Sequence, residues 1–117
     1  MLKGTHHGSH DGCSTELITG LSPQDIIFCV WQSVQPRNTT LTRLCGETNA
    51  RLYATASNAK YHSQEYGTYT NRFYADHGHI VVRVEKGGDS YKIYQLDDSD
   101  KTMSMKILKT FGPYNCK

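Results

Sequence analysis

The sequence predicts an α/β fold, and three observations carry that reading. Over the first half of the chain short strand-like and helical stretches alternate, in the order strand, loop, helix, strand, helix, strand. The longest apolar run, Ile26 to Trp31, has the length and the Ile-Ile-Phe-Val content of a buried strand. In the second half, two strand-like segments flank Lys86-Gly87-Gly88-Asp89, a strong hairpin turn.

Taken in order, Met1-Leu2-Lys3 reads as the end of a strand entering a loop punctuated by Gly4, Gly8 and Gly12. Ser14 to Ile18 opens a short helix. The Ser14 hydroxyl suits an N-cap, Glu16 suits the positive end of the helix dipole, and Gly20 with Ser22-Pro23 ends it. After the buried strand, Pro36 closes a loop and Asn38 or Thr39 caps a second helix. Leu41, Leu44 and Cys45 keep helical spacing to about Thr48, with Asn49 as C-cap. Arg51 to Thr55 is a third strand.

From Ser57 to Asp76 neither period is clean. Tyr61, Tyr66, Tyr69 and Tyr74 sit among polar residues and read as anchors for an ordered excursion. His79 to Glu85 then alternates, with Ile80, Val82 and Val84 on one face, and Ser90 to Leu96 returns as its partner. The tail with Met103, Met105, Ile107 and Leu108 is open between a strand, a helix and a frayed end.

A chain of 117 residues suits one small domain, and 37% hydrophobic with 21% charged residues suits a soluble protein with a modest core. A net charge of +2, with the basic residues scattered, gives no electrostatic argument for nucleic acid. The longest apolar run is strand-sized, too short to span a membrane, and the first residues lack a secretory signal, so the chain is expected in the cytoplasm. Four cysteines without a C-x-x-C pair argue against a tetrathiolate zinc site. Cys29 and Cys45 read as small core residues.

The chemistry concentrates in the first loop. His6, His7, His10 and Asp11 lie at the expected carboxyl end of a strand, the edge where open α/β sheets bind ligands. Imidazole and carboxylate are common metal ligands, and glycines let the backbone fold tightly enough for them to converge. Adjacent histidines usually point apart, so one would coordinate while the other serves as neighbour or substrate contact. On composition alone, a surface loop merely rich in histidine fits equally well. Elsewhere, His77 and His79 flank Gly78 but read as lining the sheet or facing solvent. His62 reads as exposed, Asp76 as a turn residue and Trp31 as packing at the end of the buried strand.

The string Leu2-Lys3-Gly4-Thr5-His6-His7-Gly8-Ser9, with Ser14, Glu16-Leu17-Ile18 and Ser22-Pro23 after it, resembles the C-terminal half of metallo-β-lactamase-fold hydrolases. The likeness is to the branch that includes the competence protein ComEC and its stand-alone relatives. Ala50-Arg51-Leu52-Tyr53-Ala54-Thr55 and Gly78-His79-Ile80 resemble later pieces of the same pattern. The resemblance implies half of an αββα sandwich: a mixed sheet with helices on one face and a C-terminal hairpin. It implies one partial domain over residues 1–117, with a tyrosine-rich insertion at about 57–76. It further implies one or two zinc ions. His6 and His7 would stand on the metal, His6 as the late ligand with His7 beside it, and Ser9, His10 and Asp11 would stand behind it or against substrate.

The family's activity would be hydrolysis of a phosphodiester or ester bond, with nucleic acid as one possible substrate. The chain departs from the pattern in lacking the His-x-His-x-Asp-His cluster, the Gly-Asp segment and a Gly-His-Pro before the second helix, where Gln35-Pro36-Arg37 stands. The departures leave no catalytic residue assignable here. They make the expected partner a missing N-terminal half or a second subunit, and predict inactivity for this chain alone. The alternative is a non-catalytic binding or regulatory half-domain.

Overall fold

The computed structural model describes residues 1–57, 66–99, 101–102 and 104–116. They form two compact units, Met1–Asp76 and His77–Lys117. The first holds a parallel sheet with helices and the second an antiparallel sheet, so the α/β class read from the alternation holds. The parallel and antiparallel pairings lie in two separate sheets, where the resemblance implies one mixed sheet. Helical crossovers link the first three parallel strands and a tight turn joins the first two antiparallel strands, and each mode builds its own ladder.

In the first unit β1 (Leu2–Lys3), β2 (Asp25–Phe28), β3 (Arg51–Ala54) and β4 (Phe73–Ala75) pair in sequence order, all parallel. Helix α1 (Thr15–Leu21) links β1 to β2, and α2 (Asn38–Glu47) links β2 to β3. Both crossovers step in the same direction, so right-handed connections set both helices on one face of the sheet, and α1 touches α2. Ile18, Leu41 and Leu44 from the helices meet Ile26, Phe28 and Leu52 from the central strands, all fully buried. Each such side chain contributes about 1.5–3 kcal/mol by leaving water.

Ser14 caps α1 as expected, its Oγ accepting from the Leu17 N–H at 3.3 Å. Gly20 falls inside α1. The helix ends at Ser22, within the expected stop, and the left-handed backbone there (φ 41°) lets its N–H reach the Ile18 carbonyl at 2.9 Å. Helix α2 begins at Asn38, so Asn38 and Thr39, the expected caps, are already helical. Its N-cap is Arg37, whose N–H is drawn onto the Gly8 carbonyl at 2.8 Å. The start of α2 is thereby tied to the histidine loop.

At the amino ends of β2 and β3, Asp25 is fully buried and accepts two hydrogen bonds from Arg51, at 2.6 and 2.8 Å. The excursion is anchored by aromatics, as its composition suggests. Tyr66 is buried and stacks on Phe73 with centroids 4.5 Å apart and 9° between planes, and its hydroxyl donates to the Gln35 carbonyl at 3.3 Å. Burial, then the nearby Asp76 carboxylate, pushes the Tyr66 phenol well above its ordinary pKa. The Tyr69 hydroxyl donates to Thr42 Oγ1 at 3.2 Å. The excursion returns as β4, a parallel edge strand no local pattern foretells. Tyr61 and His62 lie outside the described residues.

The second unit is a meander of β5 (His79–Val84), β6 (Ser90–Leu96) and β7 (Ile107–Asn115). The expected hairpin forms, with Gly87 and Gly88 at φ 101° and 81° and the Glu85 N–H donating to the Ser90 carbonyl at 2.9 Å. The open tail becomes β7. Its Pro113 sits on an edge strand, opposite a register shift between Tyr91 and Ile93, where the missing N–H is tolerated. Along β6, Tyr91, Ile93 and Gln95 are buried and alternate with half-buried residues. Among the described residues, no helix is long and apolar enough to cross a membrane.

Candidate functional site

The histidine loop leaves the sheet at the carboxyl end of β1. Gly4 continues the pairing, its N–H donating to the Ile27 carbonyl at 2.8 Å. His6 (φ 45°), His7 (φ 57°) and Gly8 (φ 81°) follow in the left-handed region. For the two histidines this costs about 1–2 kcal/mol each, so the loop must be held from outside. Arg37 N–H bonds the Gly8 carbonyl at 2.8 Å, Thr40 Oγ1 the Ser9 carbonyl at 2.7 Å, and Arg43 the His10 carbonyl at 2.9 Å. Thr5 Oγ1 accepts from the Cys13 N–H at 2.6 Å, closing the base. This brace from α2 could not be read from the loop's own residues.

Both histidine rings are set by their Nδ1 atoms. His6 Nδ1 lies 2.8 and 2.9 Å from the two Asp11 oxygens, and His7 Nδ1 lies 2.5 Å from the Cys29 carbonyl. A carbonyl only accepts, so His7 Nδ1 carries the proton; the ionised carboxylate imposes the same on His6. In the neutral rings Nε2 is then a bare lone pair. Neither Nε2 bonds a described residue. The His6 hydrogen bond is also the main cause holding the exposed Asp11 carboxyl below its ordinary pKa.

The two rings line an open depression of about 600 Å³ with Ser9, Trp31, Gln32 and Gln35. A smaller one of about 300 Å³ runs beside them along Lys3, Gly4 and Thr5. Trp31 corrects the packing expectation: it is 78% exposed, its ring centroid 6.4 Å from that of His7. Strand β2 stops at Phe28, so the apolar run leaves the sheet before Trp31 is reached. Of the other residues singled out in the loop, Ser9 joins the depression and Asp11 backs His6. His10 is exposed and engages through its carbonyl.

No known protein family, curated protein or solved structure matches this chain. Any assignment therefore rests on the loop.

Whether the loop suits zinc can be tested on its geometry. With Zn–N bonds of about 2.0–2.1 Å and tetrahedral angles, two imidazole centroids on one ion lie roughly 5 Å apart. The His6 and His7 centroids are 6.4 Å apart, too wide for that. The loop thus offers one imidazole to an ion, with the second alongside. Among the described residues, no group of three or more His, Cys, Asp or Glu side chains gathers to hold a metal. One imidazole is fewer than the roughly three protein ligands that a catalytic zinc site needs.

His77 and His79 are not brought together as ligands. The Gln95 amide nitrogen sits 3.2 Å from His77 Nε2 and donates to the His77 carbonyl at 3.0 Å, while His79 is exposed on β5. Asp76 accepts from Ser57 Oγ at 3.3 Å. Cys29 and Cys45 are half-buried free thiols, and burial raises the Cys45 pKa.

Proposed function

We propose that this chain supplies the late-ligand loop of a zinc-dependent hydrolase of the metallo-β-lactamase fold, acting on phosphodiester or ester bonds when complete. One observation carries the reading. His6 is held by Asp11 so that its Nε2 is an unspent lone pair at the carboxyl edge of a parallel sheet. A carboxylate behind a histidine is the usual arrangement for a metal ligand, because it fixes both tautomer and ring orientation. His6 would hold the zinc, which would supply polarisation of the substrate bond and activation of water near neutral pH.

In this reading His6 coordinates and Asp11 orients it, while His7, held by Cys29, faces substrate from beside the metal. Ser9 lines the same depression. The remaining ligands come from an N-terminal half or a second subunit, and the chain alone does not turn over substrate. A non-catalytic binding half-domain is the second reading, favoured by the lack of a His-x-His-x-Asp-His string.

Equilibrium dialysis against zinc tests the ligand assignment. His6→Ala is expected to abolish the site, and Asp11→Asn to weaken it by about 10–100-fold. Equal zinc uptake by wild type and both variants sinks the assignment. Supplying the complementary half separates hydrolase from binding module: phosphodiester cleavage that depends on His6 favours the first, and zinc uptake without cleavage the second.

A further inference from the structure

We propose that Trp31 is a stacking platform for a planar aromatic ring carried by the substrate next to its reacting bond. The substrate class is an anionic ester bearing a flat ring, such as a nucleotide or an aryl phosphate. Placing the reacting bond at His6 rests on the hydrolase reading above; the stacking itself does not.

Three observations converge on this indole. It is 78% exposed although it follows a buried strand. Its aromatic neighbour in the depression is His7, at a centroid distance of 6.4 Å and an interplanar angle of 35°. Aromatic pairs favour centroid separations of about 4.5–7 Å, so a ring laid on the open indole also comes within reach of the histidine side of the depression. The peptide that carries the indole is held in place. Gln35, only 6% exposed, accepts with its Oε1 from the N–H groups of Trp31 at 3.1 Å and Gln32 at 2.9 Å. Its own N–H donates to the Gln32 carbonyl at 3.0 Å. The Tyr66 hydroxyl secures the Gln35 carbonyl from the other side. A large ring on a braced peptide loses little freedom when it binds, which is what a platform requires.

The depression brings two kinds of chemistry together. His6 and His7, suited to the reacting bond, and Trp31, suited to a π-face, line the same depression. Stacking tolerates many ring types because every base presents a π-face. The proposal therefore predicts preference for ring-bearing over ring-free esters, with little choice among rings.

The chain has a single tryptophan, so its fluorescence reports on Trp31 alone. The test titrates the whole chain, metal-free in chelator, with adenosine 5′-monophosphate, phenyl phosphate and ribose 5-phosphate. Saturable quenching by a ring-bearing ester with none by ribose 5-phosphate is expected. Quenching by both ring-bearing esters is expected, and quenching by only one of them overturns the indifference to ring type. By calorimetry Trp31→Ala should lower affinity for the quenching ligand about ten-fold, while Trp31→Phe should recover most of it. Circular dichroism of each variant establishes that it is folded. Equal response to all three ligands, no response to any, or unchanged affinity in folded Trp31→Ala overturns the proposal. Because no metal is present, those results leave the zinc assignment standing. Failure of zinc dialysis likewise leaves the stacking result standing.

Discussion

The two ends of the parallel sheet treat polar side chains in opposite ways. At the amino ends of β2 and β3, Asp25 is fully buried and both its oxygens are taken by Arg51. At the carboxyl ends, His6 and His7 each engage one ring nitrogen and leave the other unspent beside an open depression. A buried charge must be fully paired to be tolerated, so the amino end has no capacity left for a ligand. The exposed loop has a different constraint. Its backbone is strained and braced, while its side chains keep unused acceptors. Polar groups that are spent indicate architecture, and those held in place yet unspent indicate chemistry.

The contrast can be broken or sharpened by mutation. The largest effect is expected from Asp25→Ala, which takes the carboxylate away from the Arg51 guanidinium. We expect a loss of about 3–5 kcal/mol in chemical denaturation, towards the lower end because the Arg51 side chain is 23% exposed. Zinc uptake per folded molecule should not change; a parallel loss of zinc would erase the distinction between the two ends.

Gly8→Ala should fall between the classes. A Cβ there would lie 2.5 Å from Pro36 Cβ on a backbone of φ 81°, so a loss of about 1–3 kcal/mol is expected. Because Gly8 also holds the Arg37 N–H, zinc uptake should fall with stability. Wild-type zinc uptake would mean that the loop conformation is not needed for the site. The smallest effect is expected from Ser14→Ala, about 0.5–1 kcal/mol for a long cap bond, read as a small shift in thermal midpoint with zinc unchanged.

Some of this was legible residue by residue. Ser14 announces a cap, Gly87-Gly88 a hairpin turn, and Ile26 to Phe28 a buried strand, because each rule acts over a few neighbouring positions. His6, His7, Ser9 and Asp11 are visible as a loop of ligand-type residues for the same reason. Trp31 was misread because an apolar run does not say where pairing stops; only the register of β2 against β3 decides that. The brace from Thr40 and Arg43, more than thirty residues along the chain from the carbonyls it holds, has no local signal. Neither has the return of the excursion as β4.

The sequence by itself therefore determined the alternation that makes the fold α/β, the turn that makes the hairpin, and the loop in which the histidines gather. These follow from side-chain period and backbone preference, which are local. Only the tertiary structure decided that Asp25 is consumed by Arg51, that His7 donates to Cys29, that Asp11 turns back onto His6, and that Trp31 stands open beside them. Each of those depends on which distant or folded-back segment brings an acceptor, a donor or nothing at all within hydrogen-bond range. That is settled when the strands register and the helices close over the sheet.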